Sequence, residues 1–389
     1  MRKQRSSNIE LLRIIAMFLI ILHHTIVHGV LDKQTFDFFA LSYFSKHVLT
    51  VFIMQSMIIL GKMGVAIFII ITGYFMVYST AKLVKLIKVW LPIFFYSVVL
   101  FLFCVAIGQQ PFSIEDSIKS AFPVVSNNYW FMTGYIVMYL FIPFINTFLK
   151  NATTTQRFLV LGLLFVTNIV VPIIFVTAPS HAAALGANNI VSFVFLYLVG
   201  AELRLRSILQ KKNLKLGRMI FWGAFTGYIA SVGCLDLIGL ITRQNFFIKH
   251  ATVLSGTGSN GLFALGMAIG FFIMIGNHSM QYQPSINMVA GSTLSVYLIH
   301  DNSYIRPWLW HTVFRLDSVS SELWLSAVAK IFVISSLVFI VATLIDLIRR
   351  RLFDYAEDHF SRWLAILILQ EGSWAKRKLK FILIEFGRL

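Results

Sequence analysis

Residues 9–29 read IELLRIIAMFLIILHHTIVHG, an apolar run carrying Glu10, Arg13, His23, His24 and His28. A helix of about twenty apolar residues crosses a hydrocarbon core roughly 30 Å thick. Ionisable side chains are costly inside such a helix, so each is a candidate for function. At about 100° per residue, the steps from Arg13 to His24 make three turns plus about 20°. The two side chains therefore share a face, about 16 Å apart along the axis. His23 points about 80° and His28 about 60° away from Arg13, and these two read as structural. The preceding MRKQR imitates the start of a signal peptide, but the run continues past Ile20 without a small-residue cleavage site. It reads as a retained first span.

The rest of the chain has the same character. Of 389 residues, 58% are hydrophobic and 13% charged, about half the roughly 25% charged residues of soluble domains. Soluble, disordered, collagenous and disulfide-rich classes are excluded. The expected fold is an all-α polytopic membrane protein with about ten transmembrane helices. Hydropathy places them at Ile9–Val30, Met63–Tyr78, Leu83–Gly108, Tyr129–Leu149, Phe158–Val176, Ile190–Leu205, Met219–Ile241, Gly261–Ile275, Met288–Trp310 and Leu323–Leu347. Val48–Leu60, cut off by Gly61 and Lys62, is short for a crossing and reads as a re-entrant or interfacial helix.

The net charge of +17 fits cations flanking the cytoplasmic ends of spans, and no nucleic-acid module accompanies it. With ten spans, alternate connections hold Arg2, Lys3 and Arg5, then Lys82, Lys85 and Lys88, Lys150 and Arg157, the cluster from Arg204 to Arg218, and Arg349 to Arg351. The opposite connections hold only Lys33, Lys46, Lys119, Arg243, Lys249 and Arg315. Both termini are therefore expected in the cytoplasm of a bacterial-type cell membrane. Residues 1–347 form the membrane domain and 348–389 a basic, amphipathic cytoplasmic tail with Lys376, Arg377, Lys378 and Lys380. Cys104 and Cys234 lie far apart in apolar spans, and no metal-ligand spacing is visible, so no metal site is expected.

Within the spans, the imidazole of His24 titrates near neutral pH and suits a general base or a transient acyl carrier. The Arg13 guanidinium suits an anionic ligand such as a phosphate. Trp130 and Tyr135 are candidates for stacking on a sugar, although an interfacial aromatic belt accounts for Trp130 as well. His300, next to Asp301 in the ninth span, is a further candidate near the first span. Glu202 is expected to pair with Arg204 or Arg206.

NIELLRIIAMFLIILHH (residues 8–24) resembles the opening of the membrane-bound acyltransferase type 3 proteins, whose first span carries an Arg, ten residues and a His. Further pieces follow in order: GVAIFIIITGYF (Gly64–Phe75), with Thr72-Gly73 where the family has Ser-Gly; KLIKVWLP (Lys85–Pro92); YWFMTGYIVMYLFIPFIN (Tyr129–Asn146); FLYLVGAELR (Phe195–Arg204); and STLSVYLIHD (Ser292–Asp301). No single piece is specific, but the ordered set is. The resemblance implies acyl transfer, usually of acetyl from cytoplasmic acyl-CoA, to hydroxyls of a surface or lipid-linked polysaccharide. Arg13 and His24 carry over as the first-span pair. Lys85 and Lys88 carry over as a basic pair binding the donor, where the family commonly has arginines; a lysine lacks the bidentate grip of Arg on phosphate. The partners implied are acyl-CoA, a glycan acceptor and the bilayer, with no tightly bound cofactor. A glycan transporter or flippase is the competing reading, but no duplicated halves are visible. A polymerase is the other, and the loops here are short.

Overall fold

In a computed structural model of the chain, residues 6–32, 38–175, 189–255 and 261–386 are described. The expectations resting on Arg2, Lys3, Arg5, Lys33 and the loop from Ala178 lie outside these residues, as do the side chains of Lys376, Arg377, Lys378 and Lys380. The described residues form helices, turns and bends, with no strand among them. The protein is all-α, and among the described residues seven helices are long and apolar enough to cross a membrane.

The main helices are α1 (Ser7–His24), α2 (Val48–Met76), α3 (Leu83–Ala106), α4 (Trp130–Asn151), α5 (Thr154–Phe165), α6 (Asn189–Leu205), α7 (Leu214–Thr242), α8 (Leu262–Gly276), α9 (Thr293–His300) and α10 (Trp324–Phe386). The expected spans map onto them, with three departures from the expected set of ten. Among the described residues, α6 spans 17 residues and α8 15, fewer than the roughly 20 that a perpendicular crossing needs. The ninth segment, Met288–Trp310, is not one helix. It is divided into Pro284–Ala290, α9, Ile305–Pro307 and a π-helical turn at Trp308–Val313.

That division has a local cause. After His300 the Asn302 side chain accepts from the backbone N–H groups of Tyr304 at 3.0 Å and Ile305 at 3.2 Å. Its amide also donates to the Tyr129 hydroxyl at 2.7 Å, which in turn donates to the Leu298 carbonyl at 3.0 Å. Backbone groups freed by a broken helix are thus met by buried protein partners, the condition under which non-helical backbone is tolerated at membrane depth.

The Val48–Leu60 stretch is likewise corrected. It is the first half of α2, with no interruption at Gly61-Lys62. An internal Gly costs a helix only about 1 kcal/mol, and here Gly61 makes room for the His23 ring of α1. At 29 residues, α2 is about 43 Å long, enough to cross with a tilt. It occupies the centre, packing against α1, α6 and α8.

Small residues permit that packing. A Cβ at Gly73 of α2 would run into the Tyr197 carbonyl of α6, and one at Gly200 of α6 would meet the Ile70 carbonyl of α2. The glycine of the Thr72-Gly73 signature therefore sets an interhelical distance. Gly73→Ala is expected to lose about 1–3 kcal/mol, the usual cost of overpacking, read as a lower unfolding midpoint in detergent. An unchanged midpoint would show that the α2–α6 contact is looser than this.

The last helix passes residue 347 without a break and runs to Phe386, 63 residues in all. Its continuation is tied to the helices beside it. Asp346 and Arg349 form a buried pair at 2.8 Å, with side chains 0% and 6% exposed. The Tyr96 hydroxyl of α3 donates to the same Asp346 oxygen at 3.0 Å.

Candidate functional site

Helix α1 is regular from Ser7 to His24, so the expected Arg13–His24 alignment applies to the folded chain. Beyond His24 the helix widens into a π-helical turn, Thr25–Val30, where the Leu31 N–H bonds to the Ile26 carbonyl at 2.9 Å. Thr25 stands at the transition. Its hydroxyl donates to the Ile21 carbonyl at 2.9 Å and lies 2.9 Å from the Ser335 hydroxyl of α10. Single π turns of this kind recur at functional sites, and this one carries His28, four residues after His24.

His24 is buried at 6% exposure, against His300 at 0% and Asp301 at 4%. Its Nδ1 lies 2.9 Å from Nε2 of His300 and 3.7 Å from Oδ1 of Asp301. His28 approaches the same carboxylate, Nε2 to Oδ1 at 3.9 Å, with its ring 5.2 Å from that of His24. Arg306 completes the group, its guanidinium donating to Asp301 Oδ1 at 3.3 Å. Three imidazoles, one carboxylate and one guanidinium thus converge where α1 meets the broken ninth segment.

His300, singled out in the sequence, is a direct neighbour of His24. His28, which helical angles placed off the Arg13 face, is part of the group as well; four residues after His24, it neighbours that ring. His23 points elsewhere, its Nδ1 2.7 Å from the Ile58 carbonyl of α2, in keeping with a structural role. His24, His28 and Asp301 each bring one ligand-type atom to within 4.8 Å of the others. An ion there would face the Arg306 charge, and Nδ1 of His24 is already engaged by His300. The arrangement therefore suits proton handling better than a divalent cation.

At the other end of α1, Arg13 is 29% exposed and pairs with Glu10 at 2.7 Å. Tyr135 of α4 lies beside Thr72 of α2 and feels the Arg13 charge. Trp130 is not part of the His24 group; its ring packs 6.2 Å from Phe193, an aromatic contact inside the bundle. Lys85 is exposed, whereas Lys88 forms an ion pair with Asp358 of α10. Glu202 pairs with Arg157 at 2.5 Å and Arg206 at 3.4 Å, so Arg206 of the two expected partners is right and Arg157 is added.

Sequence reasoning passed over Arg306, Lys62 and Asp236. Arg306 follows Asp301 by one and a half helical turns, but only the break after His300 turns it back onto that carboxylate. Lys62 and Asp236 carried the signal used for the first span, a charge within an apolar run. Asp236 is 4% exposed on α7, facing Gln55.

The acyltransferase domain family matches residues 6–347. The chain belongs to that family. The match takes in every helix from α1 to α9 and α10 as far as residue 347, so the His24 group, Arg13 and the α2–α6 contact all lie inside the acyltransferase domain. This acyltransferase is a multi-pass membrane protein. No curated protein and no solved structure matches the chain.

Proposed function

We propose that this acyltransferase moves an acetyl group from cytoplasmic acyl-CoA to a hydroxyl of a surface or lipid-linked polysaccharide. Both termini then face the cytoplasm of a bacterial-type cell membrane, the orientation favoured by the cation bias among the connections. The observation that carries the reading is the single helix α1, which presents an accessible arginine near one end and an enclosed histidine about 16 Å along the same face. A donor thioester entering from the Arg13 end and an acceptor reaching His24 from the other can meet along that face.

In this reading His24 is the general base. One of its ring nitrogens takes the proton of the acceptor hydroxyl as that oxygen attacks the thioester carbonyl carbon. The tetrahedral intermediate collapses by breaking the C–S bond, and the sulfur leaves with the proton held by His24. The hydroxyl becomes an ester and CoA leaves as its thiol. Asp301 favours the transient imidazolium, and Arg306 keeps that carboxylate in place. Arg13 is the donor-phosphate contact, with Tyr135 beside it. Lys85 is the more accessible of the two lysines, since Lys88 is engaged by Asp358. An exposed ammonium is screened by solvent, so its share is smaller.

The test is incubation of membranes with labelled acetyl-CoA and a polyprenyl-linked oligosaccharide. Label is expected in the glycan. Arg13→Ala is expected to raise KM for acetyl-CoA about 10–100-fold, the equivalent of one hydrogen bond to a charged group, at unchanged protein level. Glycan that crosses the membrane without acquiring label would make the protein a transporter and remove the reading.

A further inference from the structure

We propose that His300 sets the tautomer of His24, so that Nδ1 of His24 carries the hydrogen and Nε2 presents the lone pair that works on the acceptor. His300 is then a positioning residue that touches no substrate. The inference rests on the reading of His24 as the base.

The His300 ring is held on its far side by backbone. Its Nδ1 lies 2.6 Å from the Val296 carbonyl, one turn back in α9. A carbonyl oxygen only accepts, so Nδ1 of His300 must be the protonated nitrogen. The opposite tautomer would aim a nitrogen lone pair at an oxygen lone pair across that distance. A second proton would place a cation in a wholly enclosed site that already faces Arg306. The ring is therefore neutral, and its Nε2 has a lone pair and no hydrogen.

That nitrogen is 2.9 Å from Nδ1 of His24, a hydrogen-bonding distance that needs one donor. Only His24 can supply it. With Nδ1–H fixed, Nε2 of His24 is left as the basic nitrogen. Asp301 Oδ1, at 3.7 Å from the same Nδ1, is too distant to take over the hydrogen bond, but its charge favours the imidazolium that forms when Nε2 is protonated.

The other ionisable groups around His24 leave the assignment intact. His23 is bonded to Ile58, His28 reaches Asp301 rather than His24, and Arg306 has no capacity to accept. The relation is that of a catalytic histidine whose second nitrogen is held by an acceptor so that the first is free for chemistry. Here the acceptor is another histidine, made unidirectional by a backbone carbonyl.

The experiment uses the full-length protein with ¹⁵N-labelled histidine in lipid nanodiscs, the His24 signals assigned by their loss in His24→Gln. A protonated, pyrrole-type Nδ1 and a pyridine-type Nε2 are expected. His300→Leu, which keeps bulk but removes the acceptor, is expected to lower kcat about 10²–10³-fold with KM for acetyl-CoA unchanged. His24 should then give a mixture of tautomers. His300→Gln, whose amide oxygen accepts, is expected to restore much of the rate. A His24 protonated at Nε2 in the wild-type protein, or His300→Leu turning over at the wild-type kcat, would overturn the proposal. Should His300→Leu not fold, the wild-type tautomer and the glutamine variant decide the matter. Wild-type turnover in His24→Ala would instead remove the reading of the base, while the tautomer measurement still judges the hydrogen-bond assignment.

Discussion

Replacing His24 by alanine is expected to lower acyl transfer by about 10²–10⁴-fold, the range over which a positioned general base contributes to rate. The loss should fall on kcat, because the proposed donor contact, Arg13, lies about 16 Å away along α1. His23→Ala gives the contrast. It removes a ring that bonds to the Ile58 carbonyl and fills the space over Gly61, so it should cost stability while the folded fraction keeps its turnover. His28→Ala should fall between the two, since His28 shares Asp301 with His24. Turnover assays with labelled acetyl-CoA, normalised to folded protein, separate these outcomes. A dead His23→Ala beside an active His24→Ala would sink the arrangement and move the centre to the α2 side of the first span.

The second large effect is structural. Arg349 donates to Asp346 at 2.8 Å and also pairs with Glu357, and its guanidinium lies over the Tyr96 ring at 5.7 Å. Asp346 is completely enclosed, so Arg349→Met leaves a buried carboxylate with only the Tyr96 hydroxyl for company. Breaking a buried pair from one side typically costs about 3–5 kcal/mol, whereas replacing both partners by apolar side chains of similar volume is often neutral. The expected result is a much lower unfolding midpoint for Arg349→Met and recovery of most of it in the Asp346→Leu, Arg349→Met double variant. Equal midpoints for the single variant and the wild-type protein would show that solvent reaches the pair. Because Tyr96 of α3 bonds to Asp346 and lies under the Arg349 guanidinium of α10, loss of the pair should also loosen the Lys88–Asp358 contact between the same two helices.

Expectations about the site differ in how far a local rule could carry them. The Arg13–His24 face followed from a helical period alone, and α1 is helical over that whole interval. The place of His28 in the group did not follow from its angle to Arg13; four residues after His24, it is an i,i+4 neighbour of that ring. Lys88 carries over as a donor contact by the family resemblance, and its ion-pair partner Asp358 lies in the stretch that composition marked only as a tail. The ninth segment read as one span because its hydropathy is continuous; the division comes from Asn302, whose capping bonds leave no trace in an average over apolar letters.

What the amino-acid sequence determined by itself is the membrane class, the all-helical architecture, the family and the pairing of Arg13 with His24. Each depends on short-range quantities: the length of an apolar run set against a bilayer, the period of one helix, the order of local motifs. What only the tertiary structure decided is which groups meet. His300 is 276 positions from His24, Asp346 is 250 from Tyr96, and Asp358 is 270 from Lys88. Hydrogen bonds and ion pairs act over about 3–4 Å, whereas the period of a single helix says nothing about the helix beside it. The packing of α1 against α2, α9 and α10, through glycines that admit close approach and a helix that breaks where its carbonyls find partners, brings those groups within that range.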